Sequence, residues 1–207
     1  MTDQATRTLG ALVYEDFELL DLFGPLEMFG SMRGAVEVRT VADRPGLVRS
    51  AQGPRVHADH GLEDCPPLDL LLVPGGIGTR TQVENARLVD WLRARSRELE
   101  MAMTVCTGSA LLAAAGLLDG RRATTNKMFF AWPETTWPAV RWVREARWVE
   151  DGKFWTSSGV AAGIDMALAV VSRLAGQQTA DFLATATEYD WHRDADWDPF
   201  ARVHGLV

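Results

Sequence analysis

Two short segments, LLLV ahead of PGG at 70–76 and MAMTV ahead of CTGS at 101–109, run apolar with Thr104 the one polar residue instead of alternating. A strand with one wet face alternates, so a non-alternating apolar run of this length points to a strand covered on both sides, as in a parallel sheet between helices. Helical patterns separate the runs. In 15–32, Leu19, Leu22, Phe23, Leu26 and Phe29 recur at three- and four-residue steps, with Pro25 expected near the first turn, where its missing N–H is tolerated. NARLVDWLRARSRELE predicts an amphipathic helix capped by Asn85. The expected fold class is α/β: a three-layer sandwich with a mostly parallel central sheet, in a single domain over residues 1–207.

The remaining pattern fits this frame. TRTLGALVY reads as a first buried strand and VEVRTVA as a second. GLVRSAQGPRVHADHGL reads as a hairpin, as does ARWVEDGKFWTSS, turning at Asp151-Gly152. A helix is expected over 108–115, a short one in KMFFAWPETTW, and two more in AAGIDMALAVVSRLAG and TADFLATATEY. Residues 101–118 carry no charge and have the length to cross a bilayer. Their centre, Thr104 to Ser109, is polar and flexible, which suits a strand, a tight turn and a helix and not a membrane span.

Composition narrows the function classes. There are 21 Lys+Arg against 28 Asp+Glu, net −7, with the arginines scattered among acids, so a nucleic-acid partner is not expected. The first ten residues lack the basic start and apolar middle of a secretory leader, and a cytoplasmic location follows as the default. Two cysteines, Cys65 and Cys106, are too few for a disulfide framework. His57 and His60 share a hairpin with Asp59 but lack further ligands, so no metal is expected. The tail EYDWHRDADWDPF has acids at alternate positions from Asp190 to Asp198 except at His192, lacks the Gly and Glu of a calcium loop, and reads as a solvated acidic segment with aromatic anchors.

In an open parallel sheet, sites lie beyond the carboxyl ends of the strands. Three loops of interest fall there: 16–21, 74–78 and Cys106 itself. Cys106 ends a strand and begins a helix, the position of a nucleophile elbow, where the helix N–H groups and dipole would lower the thiol pKa. A buried, inert thiol fits the local sequence equally well. Gly76 and Ile77, in PGGIGTR, could offer free amides to a developing anion, or the loop could be no more than a tight strand exit. Asp21 is a carboxylate on an apolar helix face, either a proton donor and acceptor or a capping group.

LLDLFGPLEMF, DCPPLDLLLVPGGIG, TVCTGSALLAAAGLLDGRRATT, SSGVAAGIDMAL and the late EY…DPF together resemble the ThiJ/PfpI superfamily, and within it the isonitrile hydratase branch. The resemblance spans 19–200. It implies a flavodoxin-like, class I glutamine amidotransferase-like fold, a homodimer, a small-molecule substrate and no cofactor. It assigns Cys106 as nucleophile and Asp21 as general acid and base, with Gly76, Ile77 and Thr107 completing the site. The implied reaction hydrates an isocyanide to an N-substituted formamide through a thioimidate on Cys106.

Two stretches depart from the branch. Asn126 and Lys127 follow RATT where His and Trp are expected, and Ser157 and Ser158 stand in a stretch that is more glycine-rich there. A cationic Lys127 in the pocket would change substrate preference. The competing readings are a glyoxalase- or deglycase-like cysteine enzyme and a non-enzymatic redox or ligand sensor. For the sensor reading, a chain stopping at Val207 leaves no room for a helix-turn-helix pair.

Overall fold

The computed structural model describes residues 6–207; residues 1–5, part of the stretch read for a leader, lie outside them. Its strands are β1 (Arg7–Leu12), β2 (Val36–Ala42), β3 (Gly46–Arg49), β4 (Arg55–Ala58), β5 (His60–Gly61), β6 (Leu70–Val73), β7 (Met101–Thr104), β8 (Arg122–Ala123), β9 (Arg141–Trp142), β10 (Trp148–Asp151) and β11 (Phe154–Ser157). Its helices are α1 (Leu19–Gly30), α2 (Thr79–Gln82), α3 (Ala86–Arg95), α4 (Gly108–Ala114), α5 (Ala131–Thr136), α6 (Ala162–Ala175), α7 (Gln177–Ala186) and α8 (Pro199–Val203).

Seven strands form one sheet in the order β10-β11-β7-β6-β1-β2-β5, parallel except for the β10–β11 edge hairpin. All four residues of β6 and all four of β7 are buried, which is why neither run alternates. Helices flank the sheet in two groups: α1 packs on α6 and α6 on α7, while α4 packs on α2 and α3. The architecture is the flavodoxin-like α/β sandwich. Residues 101–118 resolve into β7, the Cys106 turn and α4, and no helix among the described residues is long and apolar enough to cross a membrane.

Three local readings need correction. Pro25 lies in the second turn of α1, not its first; it has no N–H to offer the Asp21 carbonyl one turn earlier. The buried face of α1 carries Asp21, Leu22, Pro25, Met28 and Phe29, leaving Phe23 half exposed. The β10–β11 turn is Gly152-Lys153, one residue later than expected, because Asp151 still pairs with Phe154 and Gly152 takes the positive φ of +62°.

Strand order places the site. β1, β6 and β7 are neighbours in the sheet, and chain order reverses between β1 and β6. The loops leaving their carboxyl ends are therefore adjacent: 16–21, 74–78 and Cys106.

Candidate active site

Cys106 sits at φ +59° between β7 and α4. For a residue with a Cβ this left-handed conformation is strained, and it holds only because the surroundings fix it. The Cys106 N–H donates to the carbonyls of Ser157 (3.2 Å) and Ser158 (3.0 Å). The Cys106 carbonyl accepts from the hydroxyls of Ser109 and Thr125, both at 3.1 Å. Val160, a β-branched residue, is also at positive φ, +43°, and lines the same cavity.

Asp21 is fully buried, and its Oδ2 accepts from the Gly75 N–H at 2.9 Å. Oδ1 has no hydrogen-bond partner among the described residues. Burial pushes this carboxyl up to about 8, against the pull of the Gly75 amide and the neighbouring Cys106 thiol. Gly75 brings the parts together: a Cβ there would stand 2.6 Å from the Thr107 nitrogen and 2.9 Å from Asp21 Oδ2. No larger residue fits between helix α1 and the elbow. Gly76, at φ +120°, has the Glu18 nitrogen 2.4 Å from where its Cβ would be.

The expected depression of the thiol pKa is not found. Burial raises it, and the adjacent Asp21 carboxyl raises it further; the Thr107 N–H, the Asn126 amide and the Thr107 side chain only partly offset this. Helix α4 has seven residues, and its dipole is outweighed by loss of solvent around the sulfur. At neutral pH, thiol and carboxyl are thus both protonated.

Gly76 is in the cavity wall, but its amide is not free: it donates to Thr107 Oγ1 at 3.1 Å. Thr79 joins the same cluster, its hydroxyl donating to the Gly76 carbonyl at 2.6 Å and lying 3.0 Å from Thr107 Oγ1. Thr107 is therefore the strut between the elbow and the glycine loop. The Ile77 N–H makes no hydrogen bond among the described residues and remains an open donor.

Lys127 borders the cavity, but its ammonium does not point into it. Its Nζ turns inward, donating to Thr124 Oγ1 at 2.8 Å and the Ala146 carbonyl at 2.5 Å, and burial lowers its pKa to about 8. The tail is not simply solvated either. Asp198, buried, caps α8 and lies 3.8 Å from Arg147, which pairs with buried Asp165 at 2.6 Å. This anchors Phe200 and His204 at the cavity, two residues that alternating acids gave no reason to place there. Among the described residues no cluster of His, Cys, Asp or Glu is placed to hold a metal ion.

The cavity holds about 550 Å³. Ile77, Met128, Phe129, Val160 and Phe200 give it apolar walls, and Cys106, Thr107 and Asn126 line it as well. Asp21 does not reach its surface and faces it through Cys106.

Residues 9–173 match the DJ-1/PfpI family. The chain belongs to that family. It is 35% identical to the isonitrile hydratase of Pseudomonas putida over 181 residues, 87% of this chain and 78% of that protein. The HTH-type transcriptional regulator GbdR of Pseudomonas aeruginosa is 29% identical over 189 residues, 89% of this chain, but the chain spans only 51% of that regulator. A solved ThiJ/PfpI family protein from Pseudomonas syringae superposes with a TM-score of 0.83 at 32% identity, covering 89% of this chain and 76% of that one.

Proposed function

We propose that the chain is a cofactor-independent cysteine hydratase that converts an isocyanide to an N-substituted formamide. The observation that carries this reading is a strained elbow cysteine at an apolar cavity, backed by a fully buried carboxyl that burial pushes up to about 8. The 35% identity to an isonitrile hydratase supports the substrate class.

In this reading the cavity takes up the apolar body of the isocyanide and excludes water from it. Bonding to the Cys106 sulfur draws the terminal carbon to the inner end of the cavity, against the carboxyl behind the sulfur; protonated Asp21 gives its proton to that carbon through one oxygen and takes the thiol proton through the other. The product is a thioimidate, R–N=CH–S–Cys106. Water then adds to the same carbon, its proton passing by way of Asp21 to nitrogen. The C–S bond breaks, the sulfur regains a proton, and R–NH–CHO leaves. One carboxyl used twice removes the need for a histidine. The Ile77 N–H is the donor available to the adding oxygen. A homodimer belongs to the same proposal, supported by Leu20 and Phe23, apolar side chains 43% and 45% exposed on α1.

The test is to incubate the protein with an aromatic isocyanide, with methylglyoxal and with peroxide in parallel. Formamide formation without methylglyoxal loss supports the hydratase. Methylglyoxal consumption, or stoichiometric oxidation of Cys106 without any turnover, would replace it with one of the other readings.

A further inference from the structure

One polar contact of the reacting sulfur has no part in the steps above. Asn126 Nδ2 lies 3.2 Å from Cys106 Sγ and donates to it. The other end of the amide is occupied, because Oδ1 accepts from the Phe129 N–H at 3.2 Å. A backbone N–H can only donate, so the amide oxygen must face Phe129 and the NH₂ must face the sulfur. The preceding residues pin this loop to the elbow: Thr124 N–H donates to Thr156 Oγ1 at 2.8 Å, and Thr125 Oγ1 to the Cys106 carbonyl.

We propose that Asn126 is a catalytic residue: its amide N–H stabilises the negative charge that Sγ gains as its proton leaves, and again as the C–S bond of the thioimidate breaks. For its place in a reaction cycle this rests on the hydratase reading; the contact itself does not. A hydrogen bond to a charged acceptor is stronger than one to a neutral thiol, so the donor contributes most where charge develops. The other ionisable groups facing the sulfur work against it. Asp21 on α1 raises the thiol pKa, Glu18 adds negative charge beside Asp21, and the Tyr14 phenol is spent on the Pro74 and Gly75 carbonyls. The Lys127 ammonium is turned onto Thr124 and Ala146, while Arg80 and His204 line the cavity without a hydrogen bond to Sγ. An amide has no proton to lose at any working pH, so its donation is constant, whereas a histidine there would add an ionisation near neutrality.

The test is the rate of Cys106 alkylation by iodoacetamide between pH 6 and 11, located by peptide mass so that Cys65 is counted separately. It needs no isocyanide. Asn126→Ala and Asn126→Leu both remove the donor, one with loss of volume and one with little, so failure of either to fold leaves the other. In each, checked by circular dichroism, the rate at fixed pH is expected to fall about tenfold or more, the rising limb of the whole profile moving up by about one pH unit. Asn126→His is expected to recover part of the rate and to add a second inflection. Wild-type profiles in both the Ala and Leu variants would overturn the proposal. If the alkylation shift appears but the wild type hydrates no isocyanide, the role of Asn126 stands and the substrate class falls.

Discussion

A thiol and a carboxyl that share a buried turn cannot both carry charge, and burial here favours the neutral form of each. Asp21 titrates near 8 in the fold against 3.8 for an ordinary aspartate, so between those values the folded state holds a proton that the unfolded chain has released. Stability therefore falls as pH rises through this window, by at most about 1.4 kcal/mol per unit. Asp21→Asn is expected to flatten that slope, seen as a smaller loss of melting temperature between pH 5 and 8.5 than in the wild type. Hydration, which uses protonated Asp21, should hold up to about pH 8 and decline above it. Asp21 and Cys106 were legible as candidates because a carboxylate in an apolar helix and a cysteine at a strand-to-helix junction stand out locally. The direction of the thiol's shift was not. It depends on how deeply two loops far apart in sequence bury each other, and a helix dipole gives no measure of that.

At the level of elements, the loop before β10 joins parts that sequence order keeps apart. Arg147 reaches Asp165 in α6 and Asp198 at the start of α8, while its carbonyl accepts from Ser158 N–H at 2.8 Å, next to the elbow. Burial still raises Asp165 despite this partner, so the pair is dominated by desolvation. Arg147→Met leaves two buried carboxylates without their cation and is expected to cost about 3–5 kcal/mol in denaturant unfolding. It should also raise KM, because Phe200 and His204 lose their anchor at the cavity. Helix and strand positions were readable from periodicity, and Asn85 caps α3 as its sequence suggests, accepting from Leu88 N–H at 3.3 Å. In the acidic tail Asp190, Asp194 and Asp196 are exposed as alternating carboxylates suggest, but Asp198 is buried because it faces Arg147, which the pattern does not reveal.

At the scale of the whole molecule, sheet topology does what no single motif can. Reversal of strand order beside β1 makes neighbours of three loops, the outer two of them more than eighty residues apart in the chain, and the cavity forms where they meet. That convergence was legible from continuous apolar strands alone, whereas the apolar walls given by Met128, Phe129 and Phe200 were not, since the first two come from a turn and Phe200 from a five-residue helix too short to show periodicity. Light scattering is expected to give twice the chain mass, and Phe23→Glu to halve it. The hydratase reading stands or falls on formamide release from an aromatic isocyanide, followed for the wild type, Cys106→Ala and Asp21→Asn at pH 7. Steady release by the wild type and none above background by either folded variant is the expected result. Release by Cys106→Ala at the wild-type rate would contradict covalent catalysis at this cysteine.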